Sequence, residues 1–268
     1  MVCAAAQNAG AAKPAPALAP TGVAPLVSKA CQTGSSALAS AESPLPNVAN
    51  ALAHRKTLRI LTFGAAPGRV GRHGDYTDVI ETMLQDAMKG VDVIMINRGV
   101  SGELAADAAA RMKNEVALEE PDLVLWQVGT NDALAYVPVE EFTEAVNDQI
   151  DWLRSHKVDL VLVGLQFAPP TLRDTHYVKI REALRKLAEK KNVIVIRFYE
   201  AMQILNGSQH GRREPITDQF ERSESGYNCL AEYVARVITL SVFAKDLPKR
   251  SPTNRASPPA AQKNQTPK

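Results

Sequence analysis

Five short runs of nearly unbroken apolar residues mark the middle of the chain: LRILTFG, VDVIMIN, DLVLWQVG, VDLVLVGLQF and NVIVIRF. Runs this short and this rich in β-branched residues are the pattern of strands covered on both faces, because a strand with one wet face alternates. Between them the apolar period lengthens. Tyr76, Val79, Ile80, Met83, Leu84 and Ala87 form one stripe, Leu104, Ala108, Met112 and Val116 a second, Phe142, Val146, Ile150 and Leu153 a third, and Tyr177, Ile180, Leu184 and Leu187 a fourth. Each stripe predicts a helix with one buried face. A last stripe, Leu230, Val234, Val237 and Ile238, follows a Ser-Glu-Ser-Gly turn and closes the domain. Strict strand–helix alternation forces right-handed crossovers, so the expected fold is α/β, a three-layer α/β/α sandwich around a five-stranded parallel sheet, over residues 57–243.

The flanks lack this pattern. Residues 1–50 are rich in Ala, Pro and Ser (AAKPAPALAPTGVAPLVSKA), with too few large apolar side chains to offset the entropy of ordering, so mostly disordered chain is expected there. Residues 246–268 are polar, basic and proline-bearing and read as a second disordered tail. A length of 268 residues suits one domain with such tails. The formal net charge of +2 gives too weak a field to argue for nucleic acid. No run reaches the ~18 apolar residues of a membrane span.

The opening MVCAAAQNAG has no basic or apolar leader region, yet AAAQ resembles the small-residue end of a secretory signal. A signal remnant and plain alanine-rich disorder both stay open, the chain as written suiting the cytoplasm. Three cysteines, Cys3, Cys31 and Cys229, cannot all pair with one another. In an exported protein Cys31 and Cys229 are the pair to bridge, pinning the N-terminal arm to the last helix; three reduced thiols is the other reading. No CxxC or Cys/His spacing suggests zinc, and neither metal nor cofactor is expected.

In a parallel sheet of this kind, functional groups collect beyond the C-terminal ends of the strands. There stand GAAPG (64–68), NRGVSGE (97–103) and GTNDA (129–133), with DQFERSESGY (218–227) before the last helix. Singly each is turn chemistry. In this order and spacing they resemble the SGNH, or GDSL-like, hydrolases over residues 58–238. The resemblance implies a flavodoxin-like sandwich and ester hydrolysis by a serine in the turn after the first strand, with a histidine base oriented by an aspartate. It also implies an oxyanion hole made by the serine N–H, a glycine N–H and an asparagine amide. Residue by residue, Gly102 matches the family glycine, Asn131 the asparagine, Asp218 the aspartate, and Gly226 with Tyr227 a glycine–tyrosine pair. Gly102 is expected to open a helix and offer an unpaired N–H at the positive end of its dipole, with Asn131 donating into the same spot.

The departures fall on the two residues that do the chemistry. Ala66 stands where the family serine belongs, preceded by Ala65, and Glu221 stands where the histidine belongs. Glu221 cannot serve as the relay, since an ionised Asp218 repels it and a carboxylate has no N–H for Asp218 to hold. Losing a triad serine or histidine lowers turnover by about 10⁶, and losing both costs little more. The expected protein is therefore a non-catalytic binder or pseudo-esterase that retains the oxyanion hole and holds a small acyl, ester or acylated carbohydrate ligand. By the resemblance, such proteins are periplasmic or secreted.

The alternative is an active esterase or acetyl hydrolase using substitutes. Candidates are the GDYT stretch (74–77) with His73 and Asp75, His210 as a mobile base, or a water activated by Asp218 or Glu221, two carboxylates whose closeness would raise one pKa. A fold that persists without a ligand is the third reading. His54, His156 and His176 are expected at solvated edges and Trp126 in the core, with residues 134–138 and 166–171 shaping any side pocket.

Overall fold

In the computed structural model, which describes residues 27–32, 43–64, 76–167, 171, 173–209 and 224–243, β1 (Thr57–Phe63) pairs on one side with β2 (Asp92–Asn97) and on the other with β3 (Leu123–Gln127). Beyond β3 lie β4 (Asp159–Val163) and β5 (Ile194–Ile196), giving the order β2-β1-β3-β4-β5 with every pairing parallel. β3, β4 and β5 are buried at every position, which explains their unbroken apolar sequence. The expected five-stranded parallel sheet and three-layer sandwich are both present.

Eight α-helices accompany it among the described residues: α1 (Pro46–His54), α2 (Tyr76–Ala87), α3 (Ala105–Glu119), α4 (Thr130–Leu134), α5 (Val139–Ser155), α6 (Thr175–Lys191), α7 (Phe198–Gln209) and α8 (Glu224–Phe243). α5 packs between α3 and α6 in one layer, while α8 packs against α1 and α2 in the other. The predicted stripes supply the buried faces, for instance Ile80 and Leu84 of α2 and Phe142, Val146, Ile150 and Leu153 of α5. Trp126 is in the core, 1% exposed.

Two pieces of the N-terminal fifty residues belong to the folded body, a 3₁₀ turn and the start of α1. Val48 and Leu52 of α1 are in the core. The helix starts with Pro46, which has no N–H to satisfy, and the next two amides, of Asn47 and Val48, donate to the Asp159 carboxylate at 2.8 and 2.9 Å. Burial pushes the Asp159 carboxyl pKa up, the hydrogen bonds opposing it. A 3₁₀ turn, Lys29–Cys31, is tied to α8 twice, by the Cys31–Cys229 disulfide with its Cα atoms 5.2 Å apart and by the Tyr233 hydroxyl donating to the Cys31 carbonyl at 2.5 Å.

The chain leaves β1 toward β2 and later returns past β1 to β3. Neighbouring connections therefore depart in opposite directions between β1 and β3, and a crevice opens at their C-terminal ends. Gly64 ends β1 at φ +103°, and a Cβ there would sit 2.1 Å from the Gln127 carbonyl oxygen. Only glycine allows the two strand ends to approach so closely.

Candidate functional site

A cavity of about 40 Å³ occupies that crevice, lined among others by Gly64, Glu103, Gln127, Asn131, Asp132 and Gln166. The turn from β3 into it needs Gly129 at φ +99°, where a side chain would also strike Leu165 Cδ1 at 2.7 Å. Directly after it comes α4, a helix too short for periodicity to reveal, carrying Asn131 and Asp132. Gln166 N–H donates to the Thr130 hydroxyl at 2.9 Å and draws the loop after β4 against this turn.

The amide of Asn131 donates to the Glu103 backbone carbonyl at 2.9 Å. The Glu103 carboxylate accepts two bonds from Arg111, each 2.8 Å. Arg111 also donates to the Arg98 carbonyl at 2.7 Å, and its guanidinium lies 4.6 Å from the Phe63 ring centre. The Glu103 partnership raises the Arg111 pKa above its ordinary value. A continuous set of contacts thus runs from Asn131 through Glu103 and Arg111 to the end of β1. Beside it Asp132, 2% exposed, accepts the first amide of α3, that of Ala105, at 2.9 Å. Burial raises the Asp132 pKa, and the backbone hydrogen bonds oppose the rise.

Gly102 departs from its expected place. It does not open a helix: α3 begins at Ala105 after the N-cap Leu104, and Gly102, at φ +80°, lies in the turn before it. Two residues, Glu103 and Leu104, separate it from the first residue of that helix. A Cβ at Gly102 would meet nothing within 4 Å, so its backbone angle and not crowding favours glycine. The amide at the positive end of α3 belongs to Ala105 and is taken by Asp132.

Ala66, Asp218 and Glu221 lie outside the described residues, as do Ala65, His73, Asp75 and His210. Of the glycine–tyrosine pair, Tyr227 is buried in the first turn of α8 with its ring 5.7 Å from Tyr76. Tyr76 is itself 4% exposed at the start of α2, a position unsuited to a substitute nucleophile. His54 and His156 are exposed. His176 is not simply solvated: it is half-buried, its Nε2 bonds the Val137 carbonyl at 2.9 Å, and its ring stacks on Tyr136. The Tyr136 hydroxyl donates to Asp174 at 3.1 Å. Asp174 caps α6 by accepting the amides of His176 and Tyr177, bonds that hold its pKa below the ordinary value. Tyr136 and Leu134, both exposed, form a lip after the Asn131 turn.

Sequence reasoning missed Arg111, Asp132 and Gln127. Arg111 lies among the polar positions between the stripe residues of a predicted helix, and Asp132 within a turn motif. Gln127 was visible as the one amide ending an otherwise apolar strand. A larger cavity of about 510 Å³, with Asn47, Arg154, Lys157 and Lys191 in its wall, opens at the other end of the sheet, by the start of β4. Among the described residues no group of three or more His, Cys, Asp or Glu side chains could hold a metal ion. No described helix is long and apolar enough to cross a membrane.

The chain is similar to an arylesterase of Vibrio mimicus, 28% identical over 120 residues, or 44% of this chain and 60% of the relative. It is also similar to Esterase TesA of Pseudomonas aeruginosa, 28% identical over 83 residues, or 31% of this chain and 41% of the relative. The matches thus span about half of those relatives' length. Among solved structures, the lipase/acylhydrolase from Enterococcus faecalis aligns with a TM-score of 0.56 at 24% identity, covering 68% of this chain and 95% of that one. That likeness shows a shared fold. With the β2-β1-β3-β4-β5 sheet, the Gly64 and Gly129 turns and a match over residues 30–243, this chain belongs to the non-GDSL lipase-like family, with the α/β fold of the SGNH/GDSL-like hydrolases.

Proposed function

We propose that the protein is a non-catalytic acyl-binding relative of the SGNH esterases, a pseudo-esterase. The observation that carries the reading is a disparity. The Asn131 corner has Glu103 and Arg111 behind it, in a chain whose Ala66 and Glu221 stand, by the family resemblance, at the positions of the serine and the histidine. Without a hydroxyl there is no acyl-enzyme, and without an imidazole there is no proton relay. What remains is a donor able to hold an oxygen of a bound acyl group. The ligand class, an ester or other small acyl compound such as an acylated carbohydrate, follows from the esterase activities named for the relatives.

The Cys31–Cys229 disulfide supports an oxidising, exported setting, because such bonds persist outside the reducing cytosol. The competing reading, an active ester hydrolase with substitute groups, is favoured by the relatives' being named esterases. A fluorophosphonate probe followed by intact-mass measurement decides between them. The proposal expects no adduct on the parent chain and a single adduct on the Ala66→Ser, Glu221→His double variant. An adduct on the parent overturns it, as does a folded double variant that stays unlabelled.

A further inference from the structure

The cavity of about 510 Å³ lies at the end of the sheet opposite Asn131, between residues 43–47, which lead into α1, and the C-terminal ends of α5 and α6. Its volume falls within the roughly 300–1,000 Å³ typical of sites that take small organic molecules. Buried apolar side chains, among them Leu45, Ile150 and Val193, belong to its lining. Four ionisable residues join them: Arg154, Lys157, Asp159 and Lys191.

Two of those four charges are already answered. The Asp159 carboxylate accepts the backbone amides of Asn47 and Val48 and the Asn47 side-chain amide, at 2.8, 2.9 and 2.8 Å. The Lys191 ammonium donates to Asp151 at 2.6 Å. The other two are cations without an ion-pair partner among the described residues. Arg154 donates once, to the backbone carbonyl of Lys191 at 2.7 Å, which lays its guanidinium against the end of α6 that the cavity also touches. Its remaining N–H donors are left over. Lys157 is exposed, and its left-handed backbone at φ +59° follows directly on the end of α5. A helix C-terminus carries roughly half a negative elementary charge, so one cation would satisfy the end of α5. Two full cations there leave a positive surplus beside an apolar lining.

We propose that this cavity is a second binding site, for a small organic anion: a carboxylate or phosphate group is received by Arg154 and Lys157, and the apolar part of the molecule lies against Leu45, Ile150 and Val193. A planar guanidinium suits either anion, through paired N–H bonds. A cationic ligand finds no free acceptor, because Asp159 is occupied by α1. The site is formed by the lead-in to α1 together with the ends of α5 and α6, so a bound anion ties the N-terminal helix to the sheet's far end. The inference does not depend on the acyl-binding reading of the Asn131 crevice.

The test is a titration of ¹⁵N-labelled full-length protein with sodium hexanoate, hexyl phosphate, hexanol and inorganic phosphate, following the backbone amides of Asn47, Lys157 and Asn192. The expected result is saturable movement of these signals with hexanoate, hexyl phosphate or both, weakened by added salt. Hexanol and inorganic phosphate, each lacking one half of the recognised chemistry, are expected to bind at least about tenfold more weakly. The double variant Arg154→Gln, Lys157→Gln replaces two exposed side chains and is expected to weaken the organic anions about tenfold or more, with the parent's melting temperature.

Hexanol bound as tightly as hexanoate overturns the anion recognition, and inorganic phosphate bound as tightly as hexyl phosphate overturns the apolar half. Unaltered affinity in the double variant overturns the roles of Arg154 and Lys157. Signals that stay still at Asn47, Lys157 and Asn192 while Asn131 responds overturn this site and leave the acyl-binding reading standing. Should the double variant fail to fold, Lys157→Gln alone and the parent's amide signals still decide.

Discussion

The side-chain amide of Asn131 and the backbone carbonyl of Glu103 are joined at 2.9 Å, so the short helix α4 is fixed to the turn that leads into α3. Behind that bond, the Glu103 carboxylate is gripped by Arg111. Replacing Arg111 by Met leaves Glu103, whose side chain is 8% exposed, as an unpaired buried carboxylate. The expected loss is about 2 kcal/mol, below the ~3–5 of a fully buried broken pair because Arg111 is partly solvated. Urea unfolding checks the stability, and the Asn131 NH₂ resonance checks whether its bond to Glu103 is retained. Arg111→Lys restores charge without the paired geometry and is expected to recover only part of the loss.

Gly64→Ala would drive a Cβ to 2.1 Å from the Gln127 carbonyl oxygen at φ +103°. Since the obstacle is backbone, the strand ends must part. A loss of ~3 kcal/mol or more, or insoluble expression, is expected. A variant with the parent's urea midpoint would show that the crevice is not closed as described.

These two residues also show what the sequence could reveal. Strands such as LVLWQ and DLVLV were legible because both faces are covered, and the glycine turns at Gly64 and Gly129 were legible as punctuation after them. The close approach of Gly64 to Gln127 was not, because it depends on β1 and β3 being neighbours. Gly102 misled because a glycine before a helical stripe fits a helix start equally well as a left-handed turn. α1 escaped because composition averaged over fifty residues hides a short helix whose first amides are satisfied by Asp159, more than a hundred residues away.

Asp132 gives a pH dependence. Its folded-state pKa is raised by burial, so the folded protein takes up the proton more readily than the unfolded chain. Its contribution to stability is therefore fully present below the unfolded carboxylate value of ~4 and is lost as pH rises through the raised folded value. Asp132→Asn keeps an acceptor for the Ala105 amide and has no charge to bury. Urea midpoints between pH 4 and pH 8 should show the variant gaining on the parent as pH rises. A gap that widens on acidification would contradict the assignment.

The Cys31–Cys229 bridge spans 198 positions and anchors the 3₁₀ turn to α8. Cys31→Ser with Cys229→Ser is expected to lower stability by about 2–5 kcal/mol, seen as a lower melting temperature without reductant, while the parent melts at that lower temperature only after reduction. Equal melting of parent and variant in oxidising buffer would show that the arm is not held.

The most direct test of a silent acyl-binding site is the hydrolysis of p-nitrophenyl acetate by purified protein, compared with Asn131→Ala and with buffer alone. Parent and variant are both expected to match the buffer rate. Turnover by the parent above buffer that falls in Asn131→Ala would contradict it, because it would mean that the corner around Asn131 still serves a working nucleophile.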